Sequence, residues 1–300
     1  MAKLVTGVYA AVLTPRDAAG KIDAGQLRGW IEFLLGKGVK GFAINGATGE
    51  FPLVTEAEFS ELMEIVAGTV AGRGSFLAGV GAAGSSDAIR LGKIAYEAGA
   101  RALLLPMPYF FPYSQGDLTA FCREVAENVE TPILLYNLPQ FTSGLQPEAS
   151  LALIERCSNI IGIKDSSGSL DTVSLLSKRA SNACRIIGND GALVPALKSK
   201  VADGVVSGVS CVLPELITAI FSSGVEETPG VDLEALNDRL HMFIQQLDRM
   251  PTPWGLKIFG EARGLAQATF PFALSDERKQ QMREMLAWFA ENRAAMMVQE

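Results

Sequence analysis

Residues 41–81 read GFAINGATGEFPLVTEAEFSELMEIVAGTVAGRGSFLAGVG and contain one complete strand, helix and strand unit. Its two ends, GFAIN and SFLAGVG, are short apolar runs of the kind that form buried strands. The segment TEAEFSELMEIVAGTV between them has apolar residues three and four positions apart, which predicts an amphipathic crossover helix. Strands that are joined by a crossover helix are typical of a parallel sheet.

The same alternation recurs along the chain until about residue 225. Eight strands are predicted: GVYAAVL from Gly7, GFAIN from Gly41, SFLAGVG from Ser75, ARALLLP from Ala100, PILLYN from Pro132, IIGIKD from Ile160, CRIIGN from Cys184 and DGVVSG from Asp203. Eight such units favour a closed barrel over an open doubly wound sheet, and no GxGxxG motif follows the first strand. The predicted fold is therefore α/β, a (β/α)8 TIM barrel.

The pattern changes after the run GVEETPGVD. DLEALNDRLHMFIQQLDRM and DERKQQMREMLAWFAENRAAMM both have a helical period, and no strand is predicted between them. We therefore predict a catalytic barrel over residues 1–228 and a C-terminal helical extension over residues 229–300.

Composition excludes several classes of partner. The formal net charge is -7 and the Lys and Arg residues are scattered, which argues against a nucleic acid or an anionic membrane surface. No apolar run approaches the roughly 20 residues that a membrane-spanning helix needs. The first residues, MAKLVTGVYAAVLTPRD, are interpreted as a strand rather than a signal peptide.

The cysteines and the single histidine argue against disulfide bonds and against a zinc site. Cys122, Cys157, Cys184 and Cys211 lie far apart with no CxxC spacing, which fits reduced thiols in a cytoplasmic protein. The single histidine, His241, excludes a multi-histidine zinc site and is interpreted as structural.

Three polar runs follow predicted strands, where the active site of a barrel lies. The first is NGATGEFP, residues 45–52. Gly46 and Gly49 permit a tight turn whose N–H groups can face an anion, and Thr48 adds a hydroxyl donor. Such a loop suits a substrate carboxylate, although a glycine-containing turn after a strand is also a common structural feature.

The second run is LLYNLPQFT, residues 134–142, which places the phenol of Tyr136 at a strand end. A tyrosine at this position can act as an acid or a base. The alternative is that its ring only fills the barrel and its hydroxyl binds a backbone group.

The third run is IIGIKDSSG, residues 160–168, in which Lys164 ends an apolar strand. Burial lowers the pKa of a lysine and produces a nucleophilic amine. A neutral amine attacks a ketone to form an iminium ion, which stabilises the carbanion formed when a neighbouring C–C or C–H bond breaks. The alternative is that Lys164 extends to solvent or pairs with Asp165, as most strand-end lysines do.

Together these runs resemble the dihydrodipicolinate synthase and N-acetylneuraminate lyase superfamily, whose members have a GxTGE loop, a YNxP strand end and a lysine in a GxK strand. The resemblance extends to PMPYFFPYSQ (106–115), GND (188–190), GVVSG (204–208) and PWGLKIFGEARGL (253–265). It implies a homotetramer of barrels, a pyruvate-type 2-oxo acid substrate, and no cofactor or metal beyond the covalent iminium. Lys164 would be the Schiff-base lysine, Tyr136 the proton-transferring phenol, and Thr48 the carboxylate-binding residue.

Further substrate contacts are predicted at Gly46, Ala47, Val206 and Ser207, although a serine among glycines often serves only the turn. Asp165 and Asp190 stay outside the predicted catalytic set, because Tyr136 and the substrate carboxylate can exchange protons by themselves.

Four positions depart from the superfamily pattern. Ala47 lies where Thr or Ser is usual, and Phe110 occupies the place of a tyrosine that synthases share across a dimer interface. Phe141 replaces the arginine that holds the carboxylate of aspartate semialdehyde, and this task needs a guanidinium group. Gly191 replaces a glutamate that binds the sugar tail in sialic acid lyases.

These departures lead to three hypotheses. The first is an aldolase that cleaves a 2-keto-3-deoxy sugar acid or a 4-hydroxy-2-oxo acid to pyruvate and an aldehyde. The alternative is a dihydrodipicolinate synthase that condenses pyruvate with aspartate semialdehyde. A third is a non-catalytic barrel that binds an oxo acid as a sensor, which the intact Lys164, Tyr136 and Thr48 disfavour.

Overall fold

The computed structural model describes residues 3–226 and 232–297. Its strands form a closed parallel barrel in which each strand pairs with the next along the chain and the last pairs with the first. They are β1 (Gly7–Ala11), β2 (Gly41–Ile44), β3 (Ser75–Gly79), β4 (Ala102–Pro106), β5 (Ile133–Asn137), β6 (Ile160–Asp165), β7 (Cys184–Ile187) and β8 (Gly204–Ser207). The predicted (β/α)8 barrel is confirmed, and most strands end a residue or two inside the apolar run that predicted them.

A helix follows each strand and packs on the outside of the barrel. These helices are α1 (Ala24–Gly36), α2 (Glu56–Val70), α3 (Ser85–Glu97), α4 (Gln115–Asn128), α5 (Pro147–Arg156), α6 (Asp171–Arg179), α7 (Leu193–Lys198) and α8 (Pro214–Glu226). Short 3-10 turns at Phe51–Leu53, Asp190–Ala192 and Val209–Cys211 follow β2, β7 and β8.

Side chains of the strands alternate between two apolar layers, as the pleat of a strand requires. Tyr9, Leu77, Leu134 and Ile186 point into the barrel and pack against one another. The alternate residues face outward and pack against the helices, in a second and larger core. Because both faces of the sheet are buried, the strands appear in the sequence as nearly continuous apolar runs.

The start of α2 shows how local sequence sets an element boundary. The Thr55 hydroxyl accepts a hydrogen bond from the Glu58 N–H at 3.3 Å, and the Glu58 carboxylate accepts one from the Thr55 N–H at 2.9 Å. This capping box satisfies two N–H groups that a helix start leaves unpaired, and such caps contribute about 0.5–2 kcal/mol. The loop between β2 and α2 therefore ends at a defined point.

The C-terminal region is helical, as predicted, and consists of α9 (Leu233–Leu247), α10 (Trp254–Ala262) and α11 (Asp276–Met296). Rings of Phe243, Phe259 and Phe289 pack at its centre, with centroids 4.9–6.4 Å apart. The predicted boundary between residues 228 and 229 lies outside the described residues. None of the helices in the two described ranges combines the length and the apolar character needed to cross a bilayer.

Candidate active site

A cavity of about 310 Å³ opens at the carboxyl ends of the barrel strands. Strand residues Ala11, Tyr136, Lys164 and Val206 line its buried end. The loop after β2, the turns after β5 to β8, and the segment from α9 to α10 complete the wall. The three runs that the sequence singled out therefore meet in one place.

Lys164 and Tyr136 are partners in neighbouring strands, since the register of β5 and β6 pairs them directly. Both side chains are buried, with 4% and 2% of their surface exposed, and Lys164 Nζ lies 3.8 Å from the centroid of the Tyr136 ring. The alternatives in which Lys164 reaches solvent or pairs with Asp165 are not what the structure shows. An amine and a phenol in contact inside a cavity can exchange protons with a bound substrate.

A register shift in β6 turns Lys164 toward the cavity. Ile161 packs against the interior cluster, so simple alternation would place Ile163 inside as well and turn Lys164 outward. Ile163 packs instead against the outer cluster, which leaves Lys164 facing inward. The pairing with β5 shifts between Ile133 and Leu134, where β6 carries one extra residue. At Gly162 an added Cβ would lie 2.1 Å from the carbonyl oxygen of Cys184, so no other residue fits at this position.

Gly188, which follows β7, leaves the space that the lysine side chain occupies. A Cβ at this position would lie 2.8 Å from Lys164 Cε and 2.1 Å from Ser166 Oγ. The lysine stem therefore passes directly over a backbone that carries no side chain.

The loop after β2 presents Ala47 and Thr48 to the cavity, as predicted. Asn45 adopts a left-handed conformation with φ 56°, and its amide donates to the Gly79 carbonyl at 2.9 Å. The turn is closed by hydrogen bonds from the Glu50 and Phe51 N–H groups to the carbonyls of Ala47 and Gly46. Gly46 was predicted to contact substrate but does not line the cavity, because it serves to close this turn.

Asp190, which the sequence analysis left outside the catalytic set, also lines the cavity. It follows β7; its Oδ2 accepts a hydrogen bond from the Val209 N–H at 3.2 Å, while Oδ1 is buried with no partner. Burial raises the pKa of this carboxyl, opposed by hydrogen bonds that include the Ser207 hydroxyl and by the charge of Lys164. Its position directly after a strand was a usable signal.

Ser207 was predicted to contact substrate and lies instead behind the cavity wall. It is fully buried, and its hydroxyl accepts a hydrogen bond from the Ser210 N–H at 2.8 Å. Its role is therefore to hold the turn after β8. Val206, the neighbouring residue on β8, does line the cavity, as predicted.

A buried ion pair joins the β2 loop to the C-terminal region. Glu50 Oε2 lies 2.6 Å from Lys257 Nζ, and both side chains are less than a tenth exposed. Lys257, on α10, also donates to the carbonyl of Thr269 at 2.8 Å. Since Glu50 is two residues from Thr48, the loop that faces the cavity is tied to a helix some 200 residues later in the chain.

The mouth of the cavity combines Phe141, which the sequence analysis noted, with residues that no local pattern identified. These are Gln140 after β5, and Ile244, Leu247 and Asp248 at the end of α9. Their position depends on how α9 packs over the barrel. Phe110 is not among the lining residues and is 85% exposed, beside Phe111.

Within residues 3–226 and 232–297, no three His, Cys, Asp or Glu side chains are grouped so that they could hold a metal ion.

Comparison with known proteins agrees with this geometry. The family model described as the dihydrodipicolinate synthetase family matches residues 4–288. The chain belongs to this family. Its members are carbon–carbon lyases and synthases of the class I aldolase type, which act on pyruvate through a Schiff base, so the chain is an enzyme of this class.

Relatives in the family are similar over most of their length. The 4-hydroxy-tetrahydrodipicolinate synthase of Azoarcus sp. (strain BH72) is 32% identical over 266 residues, which cover 87% of this chain and 90% of that protein. The solved synthase of Methylacidiphilum fumariolicum SolV superposes with a TM-score of 0.89 at 29% identity, covering 97% of this chain and 98% of the other. The dihydrodipicolinate synthase of Aquifex aeolicus superposes with a TM-score of 0.88 at 25% identity, covering 95% and 98%.

Proposed function

We propose that Lys164 forms an iminium with C2 of pyruvate and that the enzyme makes or breaks a C–C bond at C3 of the bound pyruvate. The observation that carries this proposal is the contact between buried Lys164 and the Tyr136 ring at the end of the cavity, with Thr48 in the same wall. Thr48 would donate to the pyruvate carboxylate. No cofactor is required, since the iminium itself withdraws electrons.

The proposed steps follow from these positions. The Lys164 amine adds to C2, and the carbinolamine loses its hydroxyl as water to leave the iminium. A proton then leaves C3, and the electron pair of that C–H bond neutralises the iminium to give an enamine. The Tyr136 hydroxyl supplies the proton for the departing water, and the phenolate that this leaves accepts the C3 proton; the enamine carbon then attacks an aldehyde. Cleavage is the same sequence in reverse.

The comparisons and the lining of the cavity favour different second substrates. Relatives named 4-hydroxy-tetrahydrodipicolinate synthase favour condensation with aspartate semialdehyde over the cleavage of a sugar acid. This condensation is therefore the first reaction to be measured. Cleavage of a 4-hydroxy-2-oxo acid is kept as a second candidate because Phe141, not an arginine, lines the mouth of the cavity.

The Schiff base is tested by treating the protein with pyruvate and borohydride and mapping the adduct by mass spectrometry. We expect a reduced pyruvyl group on Lys164 and none in a Lys164→Met variant. An unmodified Lys164 in folded wild-type protein would refute the proposal.

The two candidate reactions are separated by direct assay. Condensation predicts pyruvate consumption that depends on aspartate semialdehyde. Cleavage predicts pyruvate release from at least one member of a panel of 2-keto-3-deoxy sugar acids and 4-hydroxy-2-oxo acids.

We also propose a cytoplasmic location and a homotetramer. The location is supported by Cys122, Cys157, Cys184 and Cys211, which are all free thiols. The oligomer is supported by the family resemblance and is taken up below.

A further inference from the structure

The cavity has two ends of different character. At the buried end, Lys164 and Tyr136 are less than a twentieth exposed, and Thr48 lies in the adjoining loop. At the mouth, Gln140, Phe141, Asp248, Pro251 and Thr252 are exposed to solvent. In the proposed function the buried end holds pyruvate, so the second substrate occupies the mouth.

The described residues that line the cavity include more acidic than basic side chains. Among the described residues that line it, Lys164 is the one cation, and it is used by the iminium. Asp190 and Asp248 are the two acidic residues of the lining, and Asp248 is exposed at the mouth. A carboxylate on the second substrate would therefore meet no cation there, and would lie near another carboxylate, which opposes binding.

The uncharged part of the mouth is largely apolar. Phe141 lies on one side, and Ile244, Leu247 and Pro251 come from the end of α9 and the turn that follows; we call these four residues the apolar wall. Phe141 is 55% exposed although it is a large apolar residue. Burial of such surface against an apolar ligand is favourable.

We propose that the second substrate is an uncharged aldehyde with an aliphatic or aromatic body that packs on the apolar wall, and that aldehydes carrying a carboxylate are disfavoured. This proposal rests on the proposed Schiff-base function; for the second substrate it favours the aldolase candidate over condensation with aspartate semialdehyde, the reaction that the names of the relatives favour. Enamine C3 bonds to the aldehyde carbon, and the aldehyde oxygen takes a proton from the Tyr136 hydroxyl. The nitrogen lone pair re-forms the iminium. Water adds to the iminium carbon and gives one proton to the Tyr136 phenolate, and the resulting carbinolamine collapses to the 4-hydroxy-2-oxo acid and the neutral Lys164 amine.

Matched aldehyde pairs test the charge preference. Pentanal is compared with 4-oxobutanoate, and benzaldehyde with 4-formylbenzoate, each with pyruvate; aspartate semialdehyde is a separate arm. Pyruvate consumption is followed and the product is confirmed by mass spectrometry. We expect kcat/KM to be about tenfold or more higher for the neutral member of each pair. Equal or faster reaction of the carboxylated members, or of aspartate semialdehyde, would overturn the proposal, and so would no reaction with any neutral aldehyde.

Substitution of Phe141 tests whether the wall sets this preference. Phe141→Arg adds a cation at an exposed position, and we expect it to move the neutral-to-carboxylated ratio by about tenfold toward the carboxylated aldehydes. Phe141→Leu is the matched control and should keep the neutral preference. An unchanged ratio in Phe141→Arg would overturn the role of the wall.

The borohydride adduct of pyruvate separates this proposal from the proposed function. Each protein is first shown to form the adduct on Lys164. If the adduct forms and the aldehyde preference is absent, only the present proposal fails; if wild-type protein forms no adduct, the Schiff-base function itself fails.

Discussion

Tyr136 has two parts with separable roles. Its ring lies under Lys164 Nζ at 3.8 Å, a cation–π contact of about 0.5–2 kcal/mol. Its hydroxyl is the group proposed to move protons. A phenylalanine at this position keeps the ring and removes the hydroxyl, so a single variant distinguishes positioning from proton transfer.

We expect Tyr136→Phe to retain pyruvate trapping on Lys164 and to lower kcat by about 10²–10⁴-fold, the usual contribution of general acid–base catalysis. Steady-state turnover and adduct mapping measure the two effects. Tyr9→Phe is the matched control, since Tyr9 is also a buried tyrosine of the barrel interior and its hydroxyl pairs with Ser75. Full turnover in Tyr136→Phe would exclude the phenol as the proton carrier.

The buried carboxyl of Asp190 makes the stability of the fold depend on pH. Its carboxyl pKa is raised in the folded protein by burial, from an ordinary value of 3.8. A carboxyl with a raised folded pKa stabilises the fold below its unfolded pKa, and this contribution is lost as the pH rises through the folded pKa. Above that pH the protein holds a buried charge with one unpartnered oxygen.

We therefore expect Asp190→Asn to raise Tm relative to wild type, with a gain that is small near pH 4, grows with pH and then levels off. Thermal unfolding from pH 4 to 8 measures this difference. Asp238→Asn, on the exposed side of α9, controls for the loss of a carboxylate in general. A gain that does not change with pH would show that the charge of Asp190 is not the cause.

At the scale of elements, α10 is attached to the barrel by two buried ion pairs. Lys257 pairs with Glu50 in the β2 loop at 2.6 Å. Arg263, one turn and a half further along, pairs with Glu215 at the start of α8 at 2.9 Å and also donates to the Val212 carbonyl. Both pairs are largely buried, but only the first touches the loop that carries Thr48.

Breaking either pair should therefore destabilise the protein, but only the loss of the first should affect substrate binding. Removing one partner of a buried pair costs about 3–5 kcal/mol, so we expect both Lys257→Met and Arg263→Met to lower the free energy of unfolding in urea. Only Lys257→Met should raise the KM for pyruvate several-fold, because it frees the β2 loop.

A double variant keeps this prediction testable if the single change unfolds the protein. Glu50→Gln with Lys257→Met leaves no unpaired buried charge and should be more stable than Lys257→Met alone. An equal KM in the Lys257 and Arg263 variants would contradict the proposed link to the β2 loop.

At the scale of the whole molecule, the proposed tetramer has a candidate contact in exposed aromatic surface. Phe110 and Phe111 are 85% and 60% exposed and meet edge to face at a centroid distance of 4.8 Å. Phe110 also has a φ of 82°, which is rare for a large side chain and is maintained only where the surroundings require it. Adjacent exposed rings of this kind are typical of interaction surfaces.

We expect light scattering to give a mass near four times 32.0 kDa for the protein in solution. Phe110→Asp should lower that mass if Phe110 lies in the proposed tetramer contact, because burial of a carboxylate there would oppose association. Val225→Asp, a change at another exposed apolar residue, is the control. A mass of one chain for wild type would contradict the tetramer.

Much of the fold could be predicted from the sequence because the patterns that indicate strands and helices are local. Strand and helix periods depend on residues a few positions apart, and eight repeats of the same unit favour closure of the barrel. The C-terminal ends of the strands are then the expected place of the site, which makes Lys164, Tyr136 and Thr48 candidates, and the resemblance to the superfamily implies their roles. All three line one cavity.

What the sequence by itself determined is thus the barrel and the lysine at its catalytic end. The tertiary structure alone decided that an extra residue in β6 turns Lys164 inward, that Asp190 and not Ser207 faces the cavity, and that α9 and α10 form its mouth. These features depend on strand register and on contacts between segments far apart in the chain. Such contacts leave no periodic trace in the residues that make them, so only the folded chain reveals them.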